Sequence, residues 1–307
     1  MKGKPALAIN RRTGDHGAMT RTLFCFGYGY TAQALSRRLL PQGWQVFGTT
    51  RHPENLYQLG ATGATALLWP SGDITTALHT ASHLLISASP DAQGDPVLQA
   101  LGDEITQIAP NLTWAGYLST TGVYGDTGGD WVSEDTPINP STQRGQRRKA
   151  AEQAWRAIPN LPLHIFRLAG IYGPGRGPFA KLRAGTARRI IKPGQIFSRI
   201  HVDDIAQVLA ASMDRPNPAA IYNVCDDMPA PPQDVISYAA SLLGMPPPPE
   251  IPFEQAEMSP MARSFYAESK RIRNDRIKSE LGVELLYKDY KSVLTAMLES
   301  ERADRTD

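Results

Sequence analysis

The stretch Thr22-Leu23-Phe24-Cys25-Phe26-Gly27-Tyr28-Gly29-Tyr30-Thr31-Ala32 decides the fold. A short apolar run ends in two glycines and passes into residues 32–40, where apolar side chains recur at helical spacing. Strand, tight turn and helix in that order open a dinucleotide-binding unit. Gly27 permits the turn. Gly29 lets backbone approach a pyrophosphate with no Cβ in the way, and Ala32 is the small residue that packs helix on strand. The helix start points unpaired N–H groups and a partial positive charge at the phosphates. Gly27, Gly29, Tyr30, Thr31 and Ala32 are thus the first expected cofactor residues.

The next signal is a missing acid. An Asp or Glu about 20 residues beyond the glycines usually binds the ribose hydroxyls of NAD. Here the second strand, Trp44-Gln45-Val46-Phe47-Gly48, runs into Thr49-Thr50-Arg51-His52, with no carboxylate. A guanidinium fits phosphate through planar, charge-assisted bonds. Arg51 is therefore expected to receive a 2′-phosphate, with the Thr49 and Thr50 hydroxyls as donors beside it. NADP(H) is favoured; NAD(H) stays open.

Composition bounds the remaining classes. The chain has 307 residues, 20% of them charged and 41% hydrophobic, which suits a globular protein with one large core or two joined lobes. A formal charge of +2 and the lack of a recognised module argue against a nucleic-acid partner. No run of ~18 apolar residues occurs, so no membrane span is expected. Cys25 and Cys225 fall in expected strands and read as packed thiols, not a disulfide, consistent with a cytoplasmic location. No metal site is expected. Residues 1–18 are basic, contain Gly14 and Gly17, and lack the apolar centre of a secretion signal. They are expected to be disordered, with Met19 as an alternative start.

Strand patterns at 22–26, 44–49, 65–69, 83–88, 112–119, 163–168 and 220–224 are mostly continuous apolar runs, as parallel strands covered on both faces should be. Helical patterns at 31–40, 96–108, 145–157 and 204–213 separate several of them, which is the alternation of a doubly wound α/β sheet. A helix should end near Gly244, Asn274-Asp275 should cap a short helix ending at Gly282, and 289–300 reads as a final helix. No internal repeat is evident. The expected division is a dinucleotide-binding domain over 19–175, to which 199–225 returns, with 176–198 and 226–300 forming a smaller lobe over the ligand edge of the sheet.

Four later segments complete the pattern: Ser119-Thr120-Thr121-Gly122-Val123-Tyr124-Gly125-Asp126, Phe166-Arg167-Leu168-Ala169-Gly170-Ile171-Tyr172-Gly173-Pro174-Gly175-Arg176, Phe197-Ser198-Arg199-Ile200-His201-Val202-Asp203-Asp204-Ile205-Ala206, and Ile221-Tyr222-Asn223-Val224. With the glycine turn, their order over residues ~20 to 300 resembles the extended short-chain dehydrogenase/reductase superfamily, and its atypical epimerase-like members most closely. The resemblance implies a Rossmann-like sheet with a C-terminal substrate lobe, hydride chemistry at a carbon of a small, sugar-nucleotide-like or anionic substrate, and a homodimer. It adds Ser87 and Ser119 to the cofactor residues. It also implies that Thr120 hydrogen-bonds the reacting oxygen, with Thr121 as a substitute.

One family element is missing. The Tyr-x-x-x-Lys pair should lie on the helix near residue 145, where the chain reads Asn139-Pro140-Ser141-Thr142-Gln143-Arg144-Gly145-Gln146-Arg147-Arg148-Lys149. Anchored on Pro140, Arg144 stands at the tyrosine and Arg148 at the lysine. A shift of one residue restores Lys149 but puts Gly145 at the tyrosine. A guanidinium does not act as a general acid or base near neutral pH. Tyr124, Tyr172 and His201 are the alternative proton donors, and Arg148 an expected donor to the ribose. Tyr172, Arg176, Arg199 and His201 are expected at the substrate. Arg176, Lys181, Arg183, Arg188, Arg189 and Lys192 suggest a lining for an anionic ligand. Two functions remain: an NADP(H)-dependent oxidoreductase or epimerase-like enzyme, and an NADP(H)-binding redox sensor or scaffold without turnover.

Overall fold

The computed structural model describes residues 21–303; the expected N-terminal extension lies outside them. Seven parallel strands form the central sheet: β1 (Thr22–Phe26), β2 (Gln45–Thr50), β3 (Thr65–Leu68), β4 (His83–Ile86), β5 (Trp114–Thr120), β6 (Leu163–Leu168) and β7 (Ile221–Val224). Their spatial order is β7-β6-β5-β4-β1-β2-β3. The chain builds outward from β1 through β2 to β3, then crosses to the other side of β1 and builds outward again. The reversal lies between β1 and β4, and in sheets of this kind the crevice there receives ligands. This is the Rossmann-like doubly wound fold expected from the alternation of strand and helix patterns.

Alternation along β1 shows why the strands are apolar throughout. Leu23 and Cys25 pack on one face with α1 (Tyr30–Leu39) and α4 (Val202–Asp214). Phe24 and Phe26 pack on the other with α2 (Pro96–Ile108) and α3 (Gln143–Arg156), through Ile105, Ile108, Ala151 and Trp155. Full burial of each Leu or Phe stabilises by about 1.5–3 kcal/mol, so both layers are tied to one sheet. Cys25 and Cys225 are free and buried, as their strand positions suggested. A third apolar cluster joins Tyr172, Phe179 and Leu182 to α5 (Pro232–Leu242) and α6 (Tyr290–Ala303).

Two expected boundaries shift for identifiable reasons. β4 stops at Ile86, two residues early. Ser87 still donates its N–H to Phe26 O, but the next residues bend away because the glycine turn comes close: a Cβ at Gly27 would stand 3.1 Å from Ala88 N. β5 begins at Trp114, because residues 109–111 form a 3-10 turn around Pro110. No helix among the described residues is long and apolar enough to cross a membrane.

Candidate functional site

The loops after β1, β2 and β4 enclose a cavity of about 610 Å³ at the β1–β4 crevice. Gly27 takes φ +84°, a left-handed conformation that favours glycine. Gly29 caps α1 without a side chain, and no acidic residue lies in the first turn, so no cap or acidic side chain of that turn competes for the N–H groups there. A Cβ at Gly29 would meet nothing within 4 Å. The cradle is therefore open, as a pyrophosphate site must be. Arg51 and Thr50 line the far rim, and Ser87 and Ser89 the near side. The residues present fit a dinucleotide.

The β5 side is built by α3. Thr142 caps this helix by accepting the Gly145 N–H at 3.2 Å. A Cβ at Gly145 would stand 2.7 Å from Gly122 O, so this glycine lets the helix press directly on the turn after β5. That contact settles the register: Arg148 turns to the sheet. It donates to Leu118 O at 2.7 Å, Tyr117 Oη at 3.2 Å and Ser89 Oγ at 3.1 Å. It thereby clamps the ends of β4 and β5 together beside the cavity.

No family model matches the chain. Protein YeeZ of Escherichia coli (strain K12) is 30% identical over 276 residues, covering 86% of this chain and 95% of YeeZ. The chain belongs to the short-chain dehydrogenase/reductase superfamily, in its atypical, epimerase-like branch. A functionally unknown conserved protein from Silicibacter pomeroyi DSS has a solved structure with TM-score 0.89 and 61% identity over 92% of this chain and 99% of that one. The human epimerase family protein SDR39U1, solved with NADPH, shares the fold at TM-score 0.71 and 16% identity, over 91% of this chain and 99% of its own.

Against the superfamily's pattern, several expected site residues turn out to hold the scaffold. Thr49, expected to donate to a 2′-phosphate, is buried and accepts the Gly27 N–H at 2.8 Å, so it braces the glycine turn. Tyr30 donates to Pro174 O at 2.9 Å, and Arg176 stacks 4.5 Å over its ring, locking the start of α1 to the loop after β6. Thr31 and Ala32 are buried in helix packing. Ser119 donates to Glu152 Oε1 at 2.5 Å. Glu152 also takes two bonds from Arg167, at 3.1 and 2.9 Å.

Arg167 in turn donates to Tyr124 Oη, whose own proton goes to Asn223 Oδ1 at 2.7 Å. Burial raises the Tyr124 pKa. A buried phenol whose donor is already engaged does not serve a ligand, which removes Tyr124 from the proton donors. Tyr172 fails likewise: it donates to Asp226 Oδ2 at 2.7 Å, and burial pushes its pKa up. Arg199 is engaged by Phe197 O and Ala230 O. His201 accepts the Asp203 N–H at 3.2 Å and so caps α4, its ring lying 4.2 Å from that of Tyr287. Burial lowers its pKa, which leaves it neutral despite nearby Asp203.

The basic segment divides in the same way. Arg183 pairs with Glu301, Arg189 with Glu250, and Lys192 donates to Tyr266 O. These three therefore have partners within the fold.

The structure adds residues that motif spacing does not reach. The segment before residue 272 crosses the turn after β5. Glu268 accepts from Ser141 Oγ at 2.8 Å and from Lys270 Nζ at 2.6 Å. Arg144 stacks 5.4 Å from the Phe265 ring centroid. Partial desolvation and the Arg148 charge pull its pKa down, while Glu268 opposes them. Arg144 is thus turned toward this crossing segment. The one signal in the sequence was the period-two charge pattern of Glu268 and Lys270, which puts both on one side of an extended chain.

Proposed function

We propose that this chain binds NADP(H) in the β1–β4 crevice and acts as an oxidoreductase or epimerase-like enzyme on an anionic or sugar-nucleotide-like small molecule. The observation that carries the reading is the cavity of about 610 Å³, lined by both the bare Gly29 helix start and Arg51. The carboxylate that would select NAD is missing from the end of β2, and a guanidinium stands there instead. Bound there, the nicotinamide would supply or accept hydride at the substrate carbon. Arg148 fixes the two strand ends on which the nicotinamide ribose would rest. Thr120, at the end of β5, presents a hydroxyl that both donates and accepts, so it suits an alcohol and a carbonyl alike. The third apolar cluster and the segment before residue 272 would cover the substrate.

The test is calorimetric titration with NADPH, NADH, NADP⁺ and NAD⁺, followed by UDP- and dTDP-sugars on the loaded protein. Tight NADPH binding and a second saturable event support the enzyme. Absence of any cofactor binding overturns the reading. One observation favours the redox-sensor alternative: the tyrosine position holds Arg144, which stacks on Phe265. Tight cofactor binding with no second ligand would select it.

A further inference from the structure

We infer that Lys270 and Thr120 together form an oxyanion site, which takes the negatively charged oxygen of a substrate enolate, alkoxide or carboxylate. The inference rests on the reading above that the β5 edge faces the substrate.

Arg271 and Ile272 pair in parallel with Trp131–Val132, and the contacts of the residues just before them keep the two-residue period. Side chains therefore alternate. Ser269 and Arg271 face the 126–130 loop: a Cβ at Gly129 would meet both, at 3.6 and 3.3 Å. Glu268, Lys270 and Ile272 face the other way. Ile272 enters the main core, and Glu268 reaches Ser141 at the start of α3. Lys270 follows between them and is tied to Glu268 Oε2 at 2.6 Å. Glu268 brings the ion pair to the turn, since a Cβ at Gly122 would stand 3.5 Å from Thr120 Oγ1 and 4.0 Å from Glu268 Oε2, the oxygen that holds Lys270. The hydroxyl and the ion pair thus flank one glycine.

The Lys270 side chain is 10% exposed, as is that of Glu268. An ammonium carries three donors, and the Glu268 carboxylate takes one. A buried ion pair loses hydration that its own attraction recovers only in part, so an unused donor there favours an incoming anion. The Glu268 charge is shared with Ser141, which leaves it less able to neutralise the ammonium alone.

The segment is also held rigid. The Ser269 N–H goes to Asp126 Oδ1 at 2.8 Å, its hydroxyl to Gly194 O at 2.8 Å, and Gln195 Nε2 grips Glu268 O at 2.6 Å. Donors fixed before the ligand arrives stabilise developing charge without reorganising. The superfamily tyrosine is missing from α3, and Glu268, carrying Lys270 in its ion pair, comes to the turn after β5 from a distant part of the chain. Glu268 is the positioning residue.

The probe is 4-nitrophenol, whose absorbance separates phenol from phenolate. It is titrated into the full chain with and without NADPH, at a pH where the free probe is mostly phenol. The wild type should bind it as phenolate. Lys270→Met combined with Glu268→Gln removes both charges without leaving either buried alone, and should weaken phenolate binding at least tenfold while the thermal melt remains cooperative. Thr120→Val should weaken it severalfold, and Lys270→Arg should retain part of it. No binding by the wild type, binding only as neutral phenol, or equal phenolate binding by the double variant would each overturn the inference. NADPH affinity is read separately. A wild type that binds phenolate but not NADPH would overturn the cofactor reading and leave the oxyanion site standing.

Discussion

Replacing Gly29 by valine separates ligand space from packing space. The residue has φ −92° and ψ −162°, extended backbone that any amino acid adopts. A Cβ there would meet nothing within 4 Å, so the folded protein has room for the new side chain. Valine is a poorer N-cap than glycine by roughly 0.5–1 kcal/mol. Restricting the unfolded chain returns about 0.4–1 kcal/mol. Stability should therefore change by less than about 1 kcal/mol, and the melting temperature by only a few degrees.

Cofactor binding should respond very differently. The isopropyl group would occupy the place of the pyrophosphate, preventing two charge-assisted N–H bonds of about 1.5–3 kcal/mol each. A loss of roughly 3–6 kcal/mol weakens binding by about 10²–10⁴-fold. Calorimetry with NADPH, paired with a thermal melt, reads both numbers. An unchanged affinity would remove the glycine turn from the phosphate site. The control is Gly27→Ala, where φ +84° and the 3.1 Å approach to Ala88 N should destabilise the fold itself.

Three further outcomes are expected. Arg51→Ala should weaken NADPH about tenfold and NADH by much less, with the difference shrinking at high salt; equal losses in paired titrations would remove the 2′-phosphate from Arg51. Glu152→Gln leaves the Arg167 guanidinium, 2% exposed, without its carboxylate, and should cost about 3–5 kcal/mol in urea unfolding, a loss that Arg167→Met in the same chain should largely restore. Burial lifts Asp226 from 3.8 to about 7, so the folded state keeps a proton that the unfolded chain releases. Stability should then fall as pH rises through that window, and Asp226→Asn should escape the fall by about 2–4 kcal/mol between pH 4 and 8. Parallel pH curves for the two proteins would count against a protonated Asp226.

The fold was legible because it rests on local signals. Continuous apolar runs, the two-glycine turn and helical spacing each appear within about ten residues, and together they specify a doubly wound sheet. The glycine turn was legible for the same reason, since its two glycines and the helix start after them lie within a few residues of one another. The substrate side was not. Tyr124, Tyr172 and His201 look reactive in a linear reading, but their partners, Asn223, Asp226 and the Asp203 N–H, are a matter of three-dimensional packing. Thr49 and Ser119 misled in the same way, since a buried hydroxyl turns to whichever backbone or carboxylate is near. Glu268 and Lys270 leave only a two-residue charge alternation in the sequence, and it is the crossing of the chain that brings Glu268 beside the turn after Thr120.

That crossing has a temporal side. Ser141 and Glu268, which are hydrogen-bonded where the segment crosses, are 127 residues apart. At synthesis rates of about 5–20 residues per second, roughly 6–25 seconds pass between their emergence. The glycine turn and Arg51 emerge before either. On the proposed reading, the growing chain would have its dinucleotide cradle long before the segment that crosses the turn after β5, and a dinucleotide captured early would favour the half-made sheet by mass action.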